Sequence, residues 1–156
     1  VLTTVDTVGV VGTYTSITIG TDGFPVVSYY DGTNVDLKVA KCGNAACSAG
    51  NTFTAVDTIG SVGLYTSITI GTDGFPVVSY YDFTNGDLKV AKCGNAACSA
   101  GNTLTAIDTV GGVGQYTSVT IGTDGFPVVS YYDFTNFDLK VAKFANAYCL
   151  PNWTRR

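Results

Sequence analysis

Apolar and polar residues alternate along much of the chain. In Tyr14-Thr-Ser-Ile-Thr-Ile19, Ile17 and Ile19 fall on one side of an extended backbone and Ser16 and Thr18 on the other, which predicts a strand. Gly20-Thr-Asp-Gly23 then supplies the residues a tight hairpin turn needs, because they tolerate positive φ. Phe24 to Tyr30 is the second predicted strand, with Pro25 placed early, where the ladder has barely begun. Asp31-Gly-Thr-Asn34 makes the next turn, and Asp36 to Lys41 the third strand. After a small-residue loop from Cys42 to Asn51, a fourth strand runs from Thr52 to about Thr58. The prediction is a four-stranded antiparallel meander.

This pattern recurs with a period of 51, as Asp6, Asp57 and Asp108 show, and likewise Tyr14, Tyr65 and Tyr116. Units 6–56 and 57–107 differ at seven positions only: Val8/Ile59, Val10/Ser61, Thr13/Leu64, Gly32/Phe83, Val35/Gly86, Phe53/Leu104 and Val56/Ile107. Such near-identity marks recent duplication or design. Residues 1–156 therefore form a single repeat array, with units at about 6–56, 57–107 and 108–156. A period near 50 lies in the range of propeller blades, each unit burying its apolar face on the next.

The phase of the repeat predicts association. Residues 1–7 match the fourth strand but lack the three before it, so they are expected to complete another blade, such as the one built from residues 116–143. Asn152-Trp-Thr154 resembles the start of one more fourth strand, Thr52-Phe-Thr54. Three blades do not close a propeller, which takes about four to eight. Copies are thus expected to join into rings of six or nine blades, or into a filament if the rotation does not close. A β-trefoil is the alternative fold, since three units of four strands also describe that monomeric closed architecture. Chain length favours the trefoil; the plain meander, the short turns and the strand-like pieces at both ends favour blades.

Composition narrows the function. The 156 residues are 46% apolar and 13% charged, with 12 acids, 8 Lys/Arg and a net charge of −4. No window reaches the roughly 18 apolar residues that a membrane span needs. Histidine is absent and every acid is aspartate, so the two commonest general acid/base residues are missing. No basic stripe exists to neutralise phosphates, which argues against nucleic acid as a partner. No signal peptide is visible, which predicts a mature chain or one cut from something longer.

Cys42 and Cys47, and again Cys93 and Cys98, bracket small loops whose ends can approach to disulfide distance. Phe144 replaces the first cysteine of the third unit, leaving Cys149 without a partner in its loop. Zinc is the alternative, but it prefers four ligands, and the two pairs lie a full repeat apart. Two local disulfides predict an oxidising compartment, extracellular or at the cell surface. Asn152-Trp-Thr154 is the single N-glycosylation sequon.

Each second turn carries three oxygen-bearing side chains: Asp31, Asn34 and Asp36; Asp82, Asn85 and Asp87; Asp133, Asn136 and Asp138. Such turns can hold calcium, the one cofactor the chain suggests, although Asp and Asn are also ordinary turn residues. Paired carboxylates also serve glycosidases. Here identical pairs sit in every unit, and the only arginines are Arg155 and Arg156, so catalysis is not expected. The pairs Tyr29-Tyr30, Tyr80-Tyr81 and Tyr131-Tyr132 put one ring on each side of a strand. One ring of each pair is expected to pack between blades. Tyr30 with Asp31, Tyr81 with Asp82 and Tyr132 with Asp133 are candidate ligand-binding pairs, an aromatic beside a carboxylate being what sugar-binding propellers use. Positions 32 and 35 and their copies vary, and Phe83, Phe134 and Phe137 there hint at a contact surface. Lys38 and Lys41 read as solvated or edge-protecting charges.

The run YTSITIGTDGFPVVSYYDxTNxDLKVA, starting at Tyr14, Tyr65 and, with Val119 for isoleucine, Tyr116, resembles the repeat of bacterial secreted and surface proteins of propeller-type organisation and no assigned activity. The resemblance spans nearly the whole chain and implies a fold rather than a function. Thr21-Asp22-Gly23-Phe24 is more distantly similar to the Asp-box hairpin of sialidase-type propellers, though its aspartate and glycine are adjacent. The expected function is a non-enzymatic extracellular scaffold that self-assembles through its incomplete ends. A multivalent carbohydrate-binding module of lectin type is the alternative.

Overall fold

The computed structural model describes residues 1–149. Eleven strands and no helix are found among them: β1 Val11–Ile19, β2 Pro25–Asp31, β3 Asp36–Lys41, β4 Thr52–Asp57, β5 Val62–Ile70, β6 Pro76–Asp82, β7 Asp87–Lys92, β8 Thr103–Asp108, β9 Val113–Ile121, β10 Pro127–Asp133 and β11 Asp138–Lys143. They form three antiparallel meanders, β1-β2-β3-β4, β5-β6-β7-β8 and β9-β10-β11. The all-β, repeated organisation expected from the period of 51 is therefore observed. No strand of one meander pairs with a strand of another, and among the described residues residues 1–7 form no strand. Asn152 and the strand-like piece around it lie outside the described residues.

Strand boundaries follow the residue types. The Gly20–Phe24 hairpin is closed by Gly20 N–H to Phe24 O and Gly23 N–H to Gly20 O, both 2.9 Å. Gly23 supplies the positive φ of 81° that this turn requires. β1 begins three residues before the alternating run because its register shifts twice, between Val11 and Thr13 and between Thr13 and Ser16. Gly12 and Tyr14 take left-handed φ values of 90° and 53° there. A bulge breaks strict alternation, so a period-two reading misses the strand's first turn.

The three sheets stack face to face in chain order. Val26, Leu37, Val39 and Val56 of the first meet Val62, Ile68, Val78 and Tyr80 of the second. Val77, Leu88 and Val90 of the second meet Val113, Val119, Val129 and Tyr131 of the third. At each seam a glycine lets two backbones touch. A Cβ added at Gly63 would lie 2.6 Å from Leu37 Cα, and one at Gly114 would lie 2.6 Å from Leu88 Cα. Beside them, Val62 N–H donates to Val35 O (2.9 Å) and Val113 N–H to Gly86 O (2.8 Å), tying sheet to sheet through the main chain. The serine side of the inner strands joins the same seams: Ile68 N–H donates to Ser16 Oγ (3.2 Å), Val119 N–H to Ser67 Oγ (3.1 Å), and Thr66 Oγ1 to Ser28 Oγ (2.9 Å).

Among the described residues, only the middle sheet is covered on both sides. Every residue of β6 is buried, whereas β10, with the identical sequence Pro-Val-Val-Ser-Tyr-Tyr-Asp, alternates between buried and part-exposed. At the far end Leu139 is 80% and Val141 61% exposed, while Leu37, Leu88, Val39 and Val90 are all at 0%. At the near end Ile17 is 64% exposed against 6% for Ile68. Gly12 there meets nothing within 4 Å.

Gly63→Ala is expected to destabilise the chain by about 2–4 kcal/mol, combining positive-φ strain with backbone overlap. Gly23→Ala, with a similar φ but open space around it, should lose only about 1–2 kcal/mol. Denaturant unfolding of the two variants measures the difference.

Candidate functional site

A buried ionic clamp joins each sheet to the next. Asp57, at the end of β4, reaches into the second sheet, where its Oδ2 accepts from the Tyr80 hydroxyl (2.7 Å) and from Lys89 Nζ (2.5 Å). Lys89 also lies 3.7 Å from Asp82 and 5.6 Å above the Tyr80 ring. Asp108, ending β8, repeats this in the third sheet with Tyr131 (2.8 Å) and Lys140. Asp6 does the same in the first sheet, accepting from Tyr29 (2.7 Å) and Lys38 (2.8 Å). Asp6 thus fills, for the first sheet, the place that the fourth strand of a preceding sheet fills for the others.

The chemistry of the clamp is structural. Burial alone would raise the Asp6 carboxyl, but hydrogen bonds from Lys38, Tyr29 and the Val8 amide outweigh it and hold the group at about 2. Asp108 is likewise lowered, burial being outweighed by Lys140 and Tyr131. The Tyr29, Tyr80 and Tyr131 hydroxyls are pushed far up by burial and by the aspartate each one faces. Every clamp aspartate is already holding donors.

A second lysine–aspartate pair closes each first hairpin. Lys41 binds Asp22 (2.8 Å) and the Cys42 carbonyl (2.9 Å) and lies 5.3 Å from the Phe24 ring centre; Lys92 repeats this with Asp73 and the Cys93 carbonyl, while Lys143 binds Asp124 and donates to the Phe126 carbonyl instead. The expectation that Lys38 and Lys41 are solvated or edge-guarding is corrected. Lys41 and Lys92 are buried, and the side chain of Lys38 is mostly covered. Their ammonium groups meet carboxylates and lie over aromatic rings, and the partner of Lys38 lies 32 residues away. A local reading of the strand does not see it.

The candidate turn residues are committed to the turns. Asp31 accepts from the Thr33 and Asn34 amides and from Asn34 Nδ2 (3.0, 3.1 and 2.9 Å). Asp82 with Asn85, and Asp133 with Asn136, repeat the amide and Nδ2 contacts. These aspartates are buried, and their oxygens face N–H donors, which a cation would have to displace. Asp36 and Asp87 are raised by burial and by neighbouring carboxylates, Asp36 by Asp31 and Asp57 and Asp87 by Asp82 and Asp108, while Asp138 stands opposite Asp133 in the ladder. Among the described residues no group of three or more His, Cys, Asp or Glu side chains is placed to hold a metal.

Both expected disulfides form, Cys42–Cys47 and Cys93–Cys98, each with Cα atoms 4.8 Å apart. Cys149 is free and buried, and burial pushes its thiol up to about 11. Phe144 occupies the missing partner's position and is buried at the second seam.

Alternation in the sequence does not show the row of aromatic rings formed by Tyr14, Tyr65 and Tyr116. Their ring centres lie 4.7 and 4.4 Å apart across the three sheets, and all three residues have φ of 53°. Burial, with hydrogen bonds to Tyr116 and Tyr14, pushes the Tyr65 hydroxyl up to about 12. Tyr30, Tyr81 and Tyr132 flank the row at 6.2–6.3 Å, and Phe83, Phe134 and Phe137 extend it as exposed rings. The strict recurrence of a tyrosine at the head of each alternating run was the available signal.

These features define an all-β tandem-repeat protein of three stacked sheets, two of them followed by a disulfide-closed loop, whose outer faces are uncovered among the described residues. No protein-family model matches the chain, and neither does any curated protein. No helix among the described residues is long and apolar enough to cross a membrane.

Asp57→Ala, which strands Lys89 at a buried seam, is expected to cost about 3 kcal/mol in thermal unfolding, whereas Asp124→Ala, at an exposed pair, is near-neutral. For Asp6 the folded value lies below the ordinary 3.8, so its contribution is complete above that value and is lost as pH falls towards 2. Asp6's share of the denaturation midpoint, read as the difference between the parent and Asp6→Asn, should hold steady from pH 7 to about pH 4 and drop between about pH 4 and pH 2.

Proposed function

We propose that this chain is a non-enzymatic, extracellular repeat scaffold that associates with further copies by stacking its end faces, as blades of a propeller-type ring or of a fibre. The carrying observation is the mismatch at the ends. Leu139, Val141 and Ile17 are bare, yet their repeats in the interior seams are sealed. Both halves of a seam are therefore present on every copy, one at each end. Leu139 of one copy would lie over Gly12 of the next, as Leu37 lies over Gly63. Val11 N–H would meet Phe137 O, as Val62 N–H meets Val35 O. Covering each of the three apolar side chains is worth roughly 1.5–3 kcal/mol. A further blade in the same polypeptide would use the same contacts.

Two disulfides support an oxidising, extracellular setting. The non-enzymatic reading is supported by carboxylates that are tied up in clamps and turns. The contact is head to tail, so it gives a ring where the rotation closes and a fibre where it does not.

One observation favours a second reading. The row formed by Tyr14, Tyr65 and Tyr116, with the exposed Phe83, Phe134 and Phe137, offers apolar ring surface of the sort that sugars stack on. The aromatic row, rather than the Tyr30/Asp31 type of pair, would then carry lectin-type binding. A glycan array on the assembled protein tests it, and no bound sugar refutes it.

Light scattering on residues 1–156 is expected to give a multiple of the single-chain mass of 16.2 kDa. Leu139→Asp should return the particle to one chain without lowering its thermal midpoint below that of the dissociated parent. A single-chain mass for the unaltered protein at high concentration overturns the proposal.

A further inference from the structure

The sequence holds ten tyrosines but no methionine, the side chain that most readily takes up oxygen, and a single tryptophan, Trp153, outside the described residues. The one free thiol among the described residues, Cys149, is buried. Electrons are therefore most readily taken from tyrosine, and the stack brings three of these rings together. Tyr14, Tyr65 and Tyr116 stand at the register shifts of β1, β5 and β9, each with φ of 53°. A left-handed backbone is unfavourable for so bulky a residue, yet it recurs in all three sheets. The ring centres follow one another at 4.7 and 4.4 Å, and the Tyr65 hydroxyl is hydrogen-bonded to those of Tyr116 and Tyr14. The backbones beneath the closer pair are tied: Thr117 Oγ1 donates to Tyr65 O (3.0 Å) and Val119 N–H to Ser67 Oγ (3.1 Å).

We infer that this row is an oxidative cross-linking site, at which a one-electron oxidant of the haem-peroxidase class, driven by hydrogen peroxide, joins Tyr65 to Tyr116 as dityrosine and so ties the second sheet covalently to the third. Each phenol gives up one electron and its hydroxyl proton, and the unpaired electron that remains is shared with the ring carbons ortho to the oxygen. Two such carbons, one from each ring, form a C–C bond. The hydrogen that each carbon carried then passes through solvent to the phenoxyl oxygens and restores both hydroxyls. The two electrons and two protons that leave the chain reduce one hydrogen peroxide to two waters. The hydrogen bond between the hydroxyls already sets the ortho edges of the two rings side by side. The centres of two directly bonded benzene rings stand about as far apart as those of Tyr65 and Tyr116 do, so coupling calls for rotation of the rings and not for movement of the sheets. Tyr14, whose ring centre is 4.7 Å from that of Tyr65, is the slower competitor for the same partner. Tyr81 stands further off, at 6.2 Å, and Tyr80 lies outside the row with its hydroxyl held by Asp57. The bond forms within one chain and is independent of association between copies.

The test treats the dilute full chain with a haem peroxidase and limiting hydrogen peroxide. Dityrosine fluorescence is expected in the band that runs as a single chain on a reducing, denaturing gel, with a mass lower by two hydrogens and a cross-linked peptide pair that contains residues 65 and 116. With four of the five cysteines already paired, that loss cannot be a new disulfide within the chain. The cross-linked chain should also melt at a higher temperature than the untreated one, because the bond restricts the unfolded state. Tyr65→Phe should lower the single-chain yield at least tenfold, since coupling depends on the held pair, and Tyr81→Phe should leave it within about twofold. A Tyr14→Phe, Tyr116→Phe double variant, which keeps Tyr65 but removes its phenol neighbours in the row, should lose the yield as Tyr65→Phe does. The inference is overturned by oxidation of Trp153 without single-chain dityrosine, by a bond that maps to other positions, or by a yield that survives Tyr65→Phe or the double variant.

Discussion

The contact of two bare backbones, Gly63 on Leu37 and Gly114 on Leu88, sets the spacing on which the rest of the stack depends. With no side chain between them, β5 approaches β3 closely enough for Val62 N–H to reach Val35 O, and the valines and leucines around that point interdigitate rather than stand apart. A methyl group at either glycine would meet main-chain atoms, which do not move aside as a flexible side chain does. The left-handed φ at these glycines serves the same end, since it bulges the inner strand towards its neighbour.

Around that apolar contact the polar groups of the seam are arranged to lose nothing by burial. Among the described residues no buried side-chain nitrogen or oxygen lacks a hydrogen-bond partner. Lys89 is tolerable at the seam because Asp57 and Asp82 answer its charge and the Tyr80 ring covers its approach. Since Asp57 belongs to one sheet and Lys89 to the next, neither sheet alone can satisfy its clamp, which couples the stability of neighbours as in other repeat arrays. Asp6 gives the first sheet this completion from the chain itself. The seam at that end is thus electrostatically finished while its apolar surface remains open.

Near-identity of the units explains why the ends matter. A module that has the same face and the same back at every copy has no built-in terminus, and capping repeats with polar outer surfaces are the usual remedy. Here Leu139 and Val141 are unmodified from their interior counterparts, so the back of the third sheet retains the chemistry of a seam. The departures at Gly32, Phe83 and Phe134 and at Val35, Gly86 and Phe137 lie beside the tyrosine row, whereas those within the seams, such as Val56 against Ile107 and Ile68 against Val119, exchange one apolar side chain for another. That edge, rather than the seams, is where the three units differ in the surface they show.

What could be read from residues alone was whatever local chemistry decides. The alternation in Tyr14–Ile19, the Gly20–Gly23 turn, the Asp31–Asn34 turn and the Cys42–Cys47 loop involve neighbours along the chain, and strands, hairpins and disulfides followed from them. The partner of Lys38 and the left-handed Tyr14 were illegible, because the first lies 32 residues away in a segment outside the strands and the second sits at a shift of strand register that breaks the alternation. The heptapeptide Pro-Val-Val-Ser-Tyr-Tyr-Asp makes the division plain. Its three copies all form strands in the same register, yet only the middle one is buried throughout, and Asp-Leu-Lys-Val-Ala-Lys is sealed twice and open once. Strand and turn are decided by side-chain pattern and backbone freedom, which repeat with the sequence; burial is decided by what stands opposite, and that differs between an interior sheet and one at the end of a stack.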